Sequence, residues 1–119
     1  MKKIYCLSTC DTCNTILKDI DAKKKGFQLQ DIKTEKISSA QLDEMKKMAG
    51  SYEALFSRRA IKYKTLKLKD KTLTEKDYRN FILEEYTFLK RPVVILNNKI
   101  FVGSEKKTVD ELKEVVQFC

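Results

Sequence analysis

Cys10-Asp11-Thr12-Cys13 is a C-x-x-C pair that follows a short apolar, strand-like stretch and opens a helical pattern. Its position matters more than its spacing. A thiolate at a helix N-terminus meets unpaired backbone N–H groups and the positive end of the helix dipole. Its pKa falls there and it becomes nucleophilic near neutral pH. Cys13, one turn further along the same face, is placed to attack a mixed adduct on Cys10 and release it as a disulfide. In a cytosolic chain beside a strand-helix-strand pattern this motif reads as redox-active. Two blander arrangements compete. Cys6, Cys10, Cys13 and Cys119 could form an all-cysteine zinc site, or the cysteines could simply be buried and inert. Zinc ribbons present paired knuckles on hairpins, whereas Cys6 sits within a strand and Cys119 ends the chain. The expectation is therefore redox or nucleophilic chemistry at Cys10 with no bound metal, a core role for Cys6 and no role for Cys119.

The chain contains no histidine. This removes Ser-His and Cys-His nucleophile pairs, His-ligated metals and the commonest general acid-base residue. Chemistry must come from cysteine, lysine, arginine, tyrosine, hydroxyls or carboxylates. The arginines are few: Arg58, Arg59, Arg79 and Arg91. A guanidinium fork matches an oxyanion in a bidentate way that lysine cannot. Arg58-Arg59 is therefore a candidate anion clamp, although two adjacent charges more often face water. Arg91-Pro92 stands directly before an apolar strand. Proline is tolerated at the start of a strand in the trans form, while a cis bond there would be a purposeful feature.

These residues need elements to hold them. Residues 2–7 read as a strand by alternation of Ile4 and Cys6 with Tyr5 and Leu7. Ser8-Thr9 offers N-cap chemistry for a helix from about Thr12 to Lys25, with Gly26 as its stop. Phe27 to Ile32 is a second strand. Ser38 with Gln41 matches a capping box for a helix through Leu42 and Met45 to Gly50. A short helix passes through Tyr52, Leu55 and Phe56, and Ala60 to Lys71 is a mixed segment. Thr74 with Asp77 opens a helix to about Glu84. Pro92 to Leu96 reads as a central strand covered on both faces, and Asn97-Asn98 turns it into a hairpin with Lys99 to Val102. Thr108 with Glu111 caps a last helix carrying Leu112 and Val116. The order is β-α-β, helical insert, β-β-α: a parallel crossover followed by an antiparallel hairpin in one sheet. The predicted fold is α/β, a thioredoxin-like mixed sheet with a helical insert after the second strand. It is expected as one domain over 1–119, with the insert at about 38–88.

A chain of 119 residues has the length of one domain, and 42% hydrophobic residues supply a core. No stretch approaches the roughly 20 uncharged residues of a membrane span. The start lacks the longer apolar segment of a secretion signal, so the expected location is the cytoplasm. The net charge is +8, with lysine runs at Lys23-Lys24-Lys25 and around Lys62 to Lys71. Acidic residues are interleaved over much of the chain and base-reading or stacking motifs are not evident. The charge is expected to be solvated surface, with no direct nucleic-acid partner and no membrane.

Leu7 to Thr15, then Leu55-Phe56-Ser57-Arg58-Arg59, Leu89-Lys90-Arg91-Pro92-Val93-Val94 and Val102-Gly103, taken in that order, resemble the arsenate reductase family related to glutaredoxins. That family includes Spx-like transcriptional regulators. The resemblance implies that Cys10 attacks arsenate to form a thiol-arsenate adduct, and that arginines bind the oxyanion. Glutathione with glutaredoxin would complete the reduction, and no cofactor is bound. It places Arg91 as one clamp and Arg59 as the second, with Arg58 favoured instead by a one-residue slip, and it implies a cis bond at Pro92. Two departures stand out. A third arginine expected after the last strand is replaced in Val102-Gly103-Ser104, and Cys13 is extra relative to members that use one loop cysteine. Spx-like regulators do carry a C-x-x-C switch. Two functions therefore remain in view. One is a thiol oxidoreductase acting on a small oxyanion or thiol substrate, with glutaredoxin or thioredoxin as partner. The other is a non-enzymatic redox sensor that binds RNA polymerase.

Overall fold

In the computed structural model, which describes residues 1–118, the chain forms a four-stranded mixed sheet and five α-helices. The strands are β1 (Lys2–Cys6), β2 (Gln28–Asp31), β3 (Val93–Leu96) and β4 (Lys99–Val102). The helices are α1 (Asp11–Asp19), α2 (Ser39–Ala49), α3 (Ile61–Thr65), α4 (Glu75–Glu84) and α5 (Lys106–Gln117). The sheet order is β2-β1-β3-β4. β1 runs parallel to β2, with Ile4 opposite Leu29, and antiparallel to β3, with Ile4 opposite Val94. β3 and β4 pair antiparallel around Asn97, whose positive φ of 56° makes the tight turn. This is the predicted thioredoxin-like α/β fold. Among the described residues no helix is long and apolar enough to cross a membrane.

The chain divides into two compact units, one of Met1–Lys36 with the segment from Arg91 onward, the other of Ile37–Lys90. In the first, alternate residues of the sheet supply one side of the core. Ile4, Cys6, Val94, Leu96 and Phe101 pack against Cys13, Ile16 and Ile20 of the α1 region and Leu112 and Val116 of α5. All four β3 residues are buried, matching the expectation of a strand covered on both faces. Burial of each such aliphatic side chain stabilises by about 1.5–3 kcal/mol, so this core holds α1 firmly on the sheet.

The second unit is helical around an aromatic centre. Phe56 stacks on Phe88 at 5.0 Å between ring centroids and meets Tyr78 at 4.9 Å. Both predicted capping boxes are present: Ser38 with Gln41 opens α2, and Thr74 with Asp77 opens α4. Gly50 closes α2 at φ 99°, in the left-handed region where a side chain would be strained. The mixed segment after Ala60 becomes α3 followed by a 3-10 turn over Leu68–Asp70.

Three boundaries differ from expectation. α1 starts at Asp11 with Cys10 itself as N-cap, not Ser8 or Thr9. It stops at Asp19, well short of Lys25, because Asp21 takes a left-handed φ of 53° and residues 20–26 close as hydrogen-bonded turns. α5 starts at Lys106 with Glu105 as N-cap, so Thr108 lies inside its first turn and caps nothing.

Candidate active site

The loop between β1 and α1 is short and tightly bonded. Cys10 N–H donates to the Leu7 carbonyl at 2.9 Å, and the Cys10 carbonyl accepts the first helical bond from Asn14 N–H at 3.0 Å. Cys10 therefore stands at φ −95°, ψ 112°, extended and half-in the helix. Its side chain closes no capping hydrogen bond, in contrast to Ser38 and Thr74. The N–H groups at the head of α1 are thus left available to a charge on that sulfur.

Two further side chains brace this loop. Asn14 Nδ2 donates to the Ser8 carbonyl at 2.9 Å, and Ser8 Oγ donates to Asp31 Oδ2 at 2.6 Å from the end of β2. Asp31 Oδ1 also accepts the Lys33 N–H at 3.1 Å. The Ser8 hydroxyl, followed by the Lys33 N–H, holds the Asp31 carboxyl below its ordinary range. Sequence reasoning gave neither Asn14 nor Asp31 a role. Asn14 falls within the cysteine-loop stretch that carries the family resemblance, but Asp31 offers no local signal because its partner is 23 residues away.

The two loop cysteines are driven in opposite directions. Cys10 is half-buried. Burial raises its pKa, but the backbone and thiol of Cys13, the Arg91 guanidinium and the Thr12 backbone together outweigh burial and bring it below 9.0. Cys13 is fully buried, and burial drives its thiol up to about 12 against the opposing Leu7 backbone and Arg91 charge. The Cys10 sulfur adds to that rise by hydrogen bonding and by charge. One turn of helix thus holds a thiolate-forming sulfur beside a firmly protonated one.

Arg91 lies just ahead of β3, and its peptide bond to Pro92 is cis. The Pro92 carbonyl accepts the Gly103 N–H at 2.9 Å, which ties this strand start to the end of β4. Cys6 is buried and its thiol points at the Gln30 carbonyl, 3.6 Å away. Burial, then the Asp31 charge, raises its pKa. Cys6, Cys10 and Cys13 are all free thiols, and among the described residues no group of three potential ligands is arranged to hold a metal. The four-cysteine zinc alternative involves Cys119, which lies outside the described residues.

Arg58 and Arg59 belong to the other unit and have different surroundings. Arg58 Nη2 donates to Glu53 Oε2 at 2.8 Å and to the Tyr78 hydroxyl at 3.2 Å, with its guanidinium over the Tyr78 ring. Arg59 forms no ion pair among the described residues. Arg58 is thus held by side chains of its own unit.

A cysteine N-cap between β1 and α1 of a β2-β1-β3-β4 sheet defines a protein of the thioredoxin-like class. The family is narrower. Residues 5–112 match the ArsC family, nearly the whole chain, and the protein belongs to it. Solved structures share the fold at low identity. An arsenate reductase from Vibrio cholerae is 18% identical with a TM-score of 0.77, covering 96% of each chain. SACOL0876 from Staphylococcus aureus COL is 24% identical with a TM-score of 0.74, covering 93% of this chain and 97% of that one. An arsenate reductase (ArsC) related protein from Brucella melitensis is 20% identical with a TM-score of 0.69, covering 92% of each. No curated protein matches the sequence.

Proposed function

We propose that the protein is a cytoplasmic thiol-dependent oxidoreductase that acts on a small oxyanion, with arsenate as the leading substrate. The observation that carries this reading is the placement of two free thiols at the head of α1, Cys10 half-exposed as its N-cap and Cys13 buried one turn on, with the shifts in their acidity in accord. Membership of the ArsC family supports it, as does the description of a structural neighbour as an arsenate reductase.

In this reading the Cys10 thiolate attacks arsenic(V), and one arsenate oxygen leaves as water after protonation. Arg91, whose charge acts on the Cys10 sulfur, holds the oxyanion. Cys13 then attacks the Cys10 sulfur. The S–As bond breaks with its electron pair on arsenic, which becomes arsenic(III), and the two cysteines are left as a disulfide. Cys13 must lose its proton to do this. Burial, the largest influence that keeps it protonated, persists in the adduct, whereas the charge on the Cys10 sulfur is gone; the proton passes to an oxygen of the departing arsenic(III) group. Glutathione, glutaredoxin or thioredoxin supplies the electrons that restore the dithiol. Alternatively, glutathione attacks the adduct directly and Cys13 plays no part.

A second reading is favoured by the C-x-x-C itself together with Val102-Gly103-Ser104, where a third arginine is missing. Here the Cys10–Cys13 disulfide is a switch in an Spx-like regulator that binds RNA polymerase. Steady-state turnover with arsenate, glutathione and glutaredoxin separates the two. Turnover abolished in Cys10→Ser supports the enzyme. Absence of turnover, with polymerase binding that changes on oxidation, supports the regulator. Mass spectrometry after mild peroxide tests Cys13: an internal Cys10–Cys13 disulfide supports its resolving role, and persistent sulfenic or glutathionylated Cys10 assigns resolution to an external thiol.

A further inference from the structure

Residues 58–71 concentrate most of the molecule's surplus charge. Arg58, Arg59, Lys62, Lys64, Lys67, Lys69 and Lys71 face a single acid, Asp70, so this short segment accounts for six of the eight net positive charges. It is an ordered surface and not a tail. α3 and the Leu68–Asp70 turn shape it, and Leu68 (1% exposed) and Ala60 (8%) root it. Only Arg58 and Lys62 are neutralised, by Glu53 and Glu85 at 2.8 Å each; Arg59, Lys64, Lys67, Lys69 and Lys71 have no ion pair among the described residues. Two large apolar side chains lie out in water among these lysines: Ile61, 80% exposed, and Leu66, 46% exposed. The other large apolar side chains as exposed as these, Met1 and Phe118, sit at the chain ends. Lys67 also adopts a left-handed φ of 53° at the joint between α3 and the turn, a place where glycine or asparagine would fit with less strain.

We infer that this segment is a docking surface for an acidic protein segment that carries aliphatic side chains. The charge sign selects an anionic partner, and the unpaired lysines would speed and orient its approach. Ile61 and Leu66 supply what pure charge lacks, exposed apolar side chains interspersed among the lysines that a partner can cover. A nucleic acid fits less well. The unpaired cations are lysines apart from Arg59, and the one aromatic ring of the segment, Tyr63, packs edge-on against Phe56 at 6.1 Å and is not free to stack on a base. A lipid surface fits less well too. α3 has five residues, and Ile61 and Leu66 are five positions apart, so they do not share one helix face for insertion. The inference is independent of the thiol chemistry.

Fluorescence anisotropy tests it on the full chain carrying Cys10→Ser, which removes covalent capture. The probe is a labelled peptide of repeating Glu-Glu-Leu, set against labelled single-stranded DNA, duplex DNA and vesicles of phosphatidylcholine with phosphatidylserine. The peptide should bind more tightly than either nucleic acid or the vesicles. Lys64→Glu/Lys69→Glu/Lys71→Glu should weaken it by roughly tenfold or more. Lys23→Glu/Lys24→Glu/Lys25→Glu changes net charge equally and should leave binding within about twofold. Ile61→Ser, a change at a solvent-facing side chain, should weaken the peptide severalfold, and it also serves if the triple variant does not fold. Equal losses in the two triple variants would reduce the effect to bulk charge and overturn the inference. Tighter binding of DNA or vesicles, or an unaltered Ile61→Ser, would also overturn it.

Discussion

Cys13 sits one helical turn beyond Cys10, and each shifts the other's acidity. The Cys13 backbone and thiol favour charge on the Cys10 sulfur, while the Cys10 sulfur helps keep Cys13 protonated. The pair behaves as one titrating unit.

Alkylation by iodoacetamide across pH should therefore show a single fast site. Cys10 should react first, with a midpoint below 9.0, while Cys13, buried and raised in pKa beside it, should label later and more slowly. Peptide mapping of the labelled protein reads this directly. Equal labelling of both cysteines at neutral pH would contradict the opposed acidities.

The same pair predicts an alkaline loss of stability. Cys13 has a folded pKa of about 12 against an ordinary 9.0. As the pH climbs between those values the unfolded chain releases this proton and the folded one retains it, so unfolding gains ground. Thermal melts should fall over that range, and Cys13→Ala should show a shallower slope despite a lower starting stability.

Arg91→Ala should raise the Cys10 midpoint by removing a charge that favours the thiolate. Arg91→Lys should restore most of that ionisation; under the proposed oxidoreductase function it should still leave oxyanion binding weak, because an ammonium lacks the bidentate fork. The alkylation midpoint and the arsenate KM, measured on both variants, separate the two contributions.

Asn14→Ala releases the Ser8 carbonyl and should cost about 0.5–1.5 kcal/mol. It should also slow Cys10 alkylation at fixed pH, since the loop no longer holds the sulfur over the helix head. Denaturant melts and the alkylation rate, compared with Asn14→Asp, show whether the donor itself is needed.

In the helical unit, Asp43 accepts from Arg79 Nε at 2.9 Å and from the Tyr52 hydroxyl at 2.6 Å. The Arg79 and then the Tyr52 contact hold its carboxyl at about 2, against an ordinary 3.8. The stability this gives is complete above 3.8 and is lost as the pH falls through 2. Asp43→Asn should flatten the acid limb of the melting curve in that window, with little further effect of acid on the variant.

Much of this architecture is visible in the residues. Alternation in β1 and the unbroken apolar run of β3 report burial directly, and the two capping boxes mark helix starts because their side chains bond within three residues. Legibility fails where partners are remote or where polar chemistry is idle. Ser8-Thr9 has good capping side chains, yet the bond from Cys10 N–H to Leu7 turns the backbone so that the cap falls on cysteine. The end of α1 depends on a left-handed Asp21, which no residue type forces. The contact of Arg58 with Tyr78 is likewise closed to sequence, because the two lie 20 residues apart.

Using a sulfur to begin α1 carries a thermodynamic consequence. Serine fits that place better than cysteine does, and a hydroxyl that closes the cap is worth about 0.5–2 kcal/mol over a residue that does not. The chemically dead Cys10→Ser protein should consequently melt higher than the native one. An ionisable sulfur and a durable cap oppose each other at this position, so selection for heat resistance alone would tend to replace the cysteine.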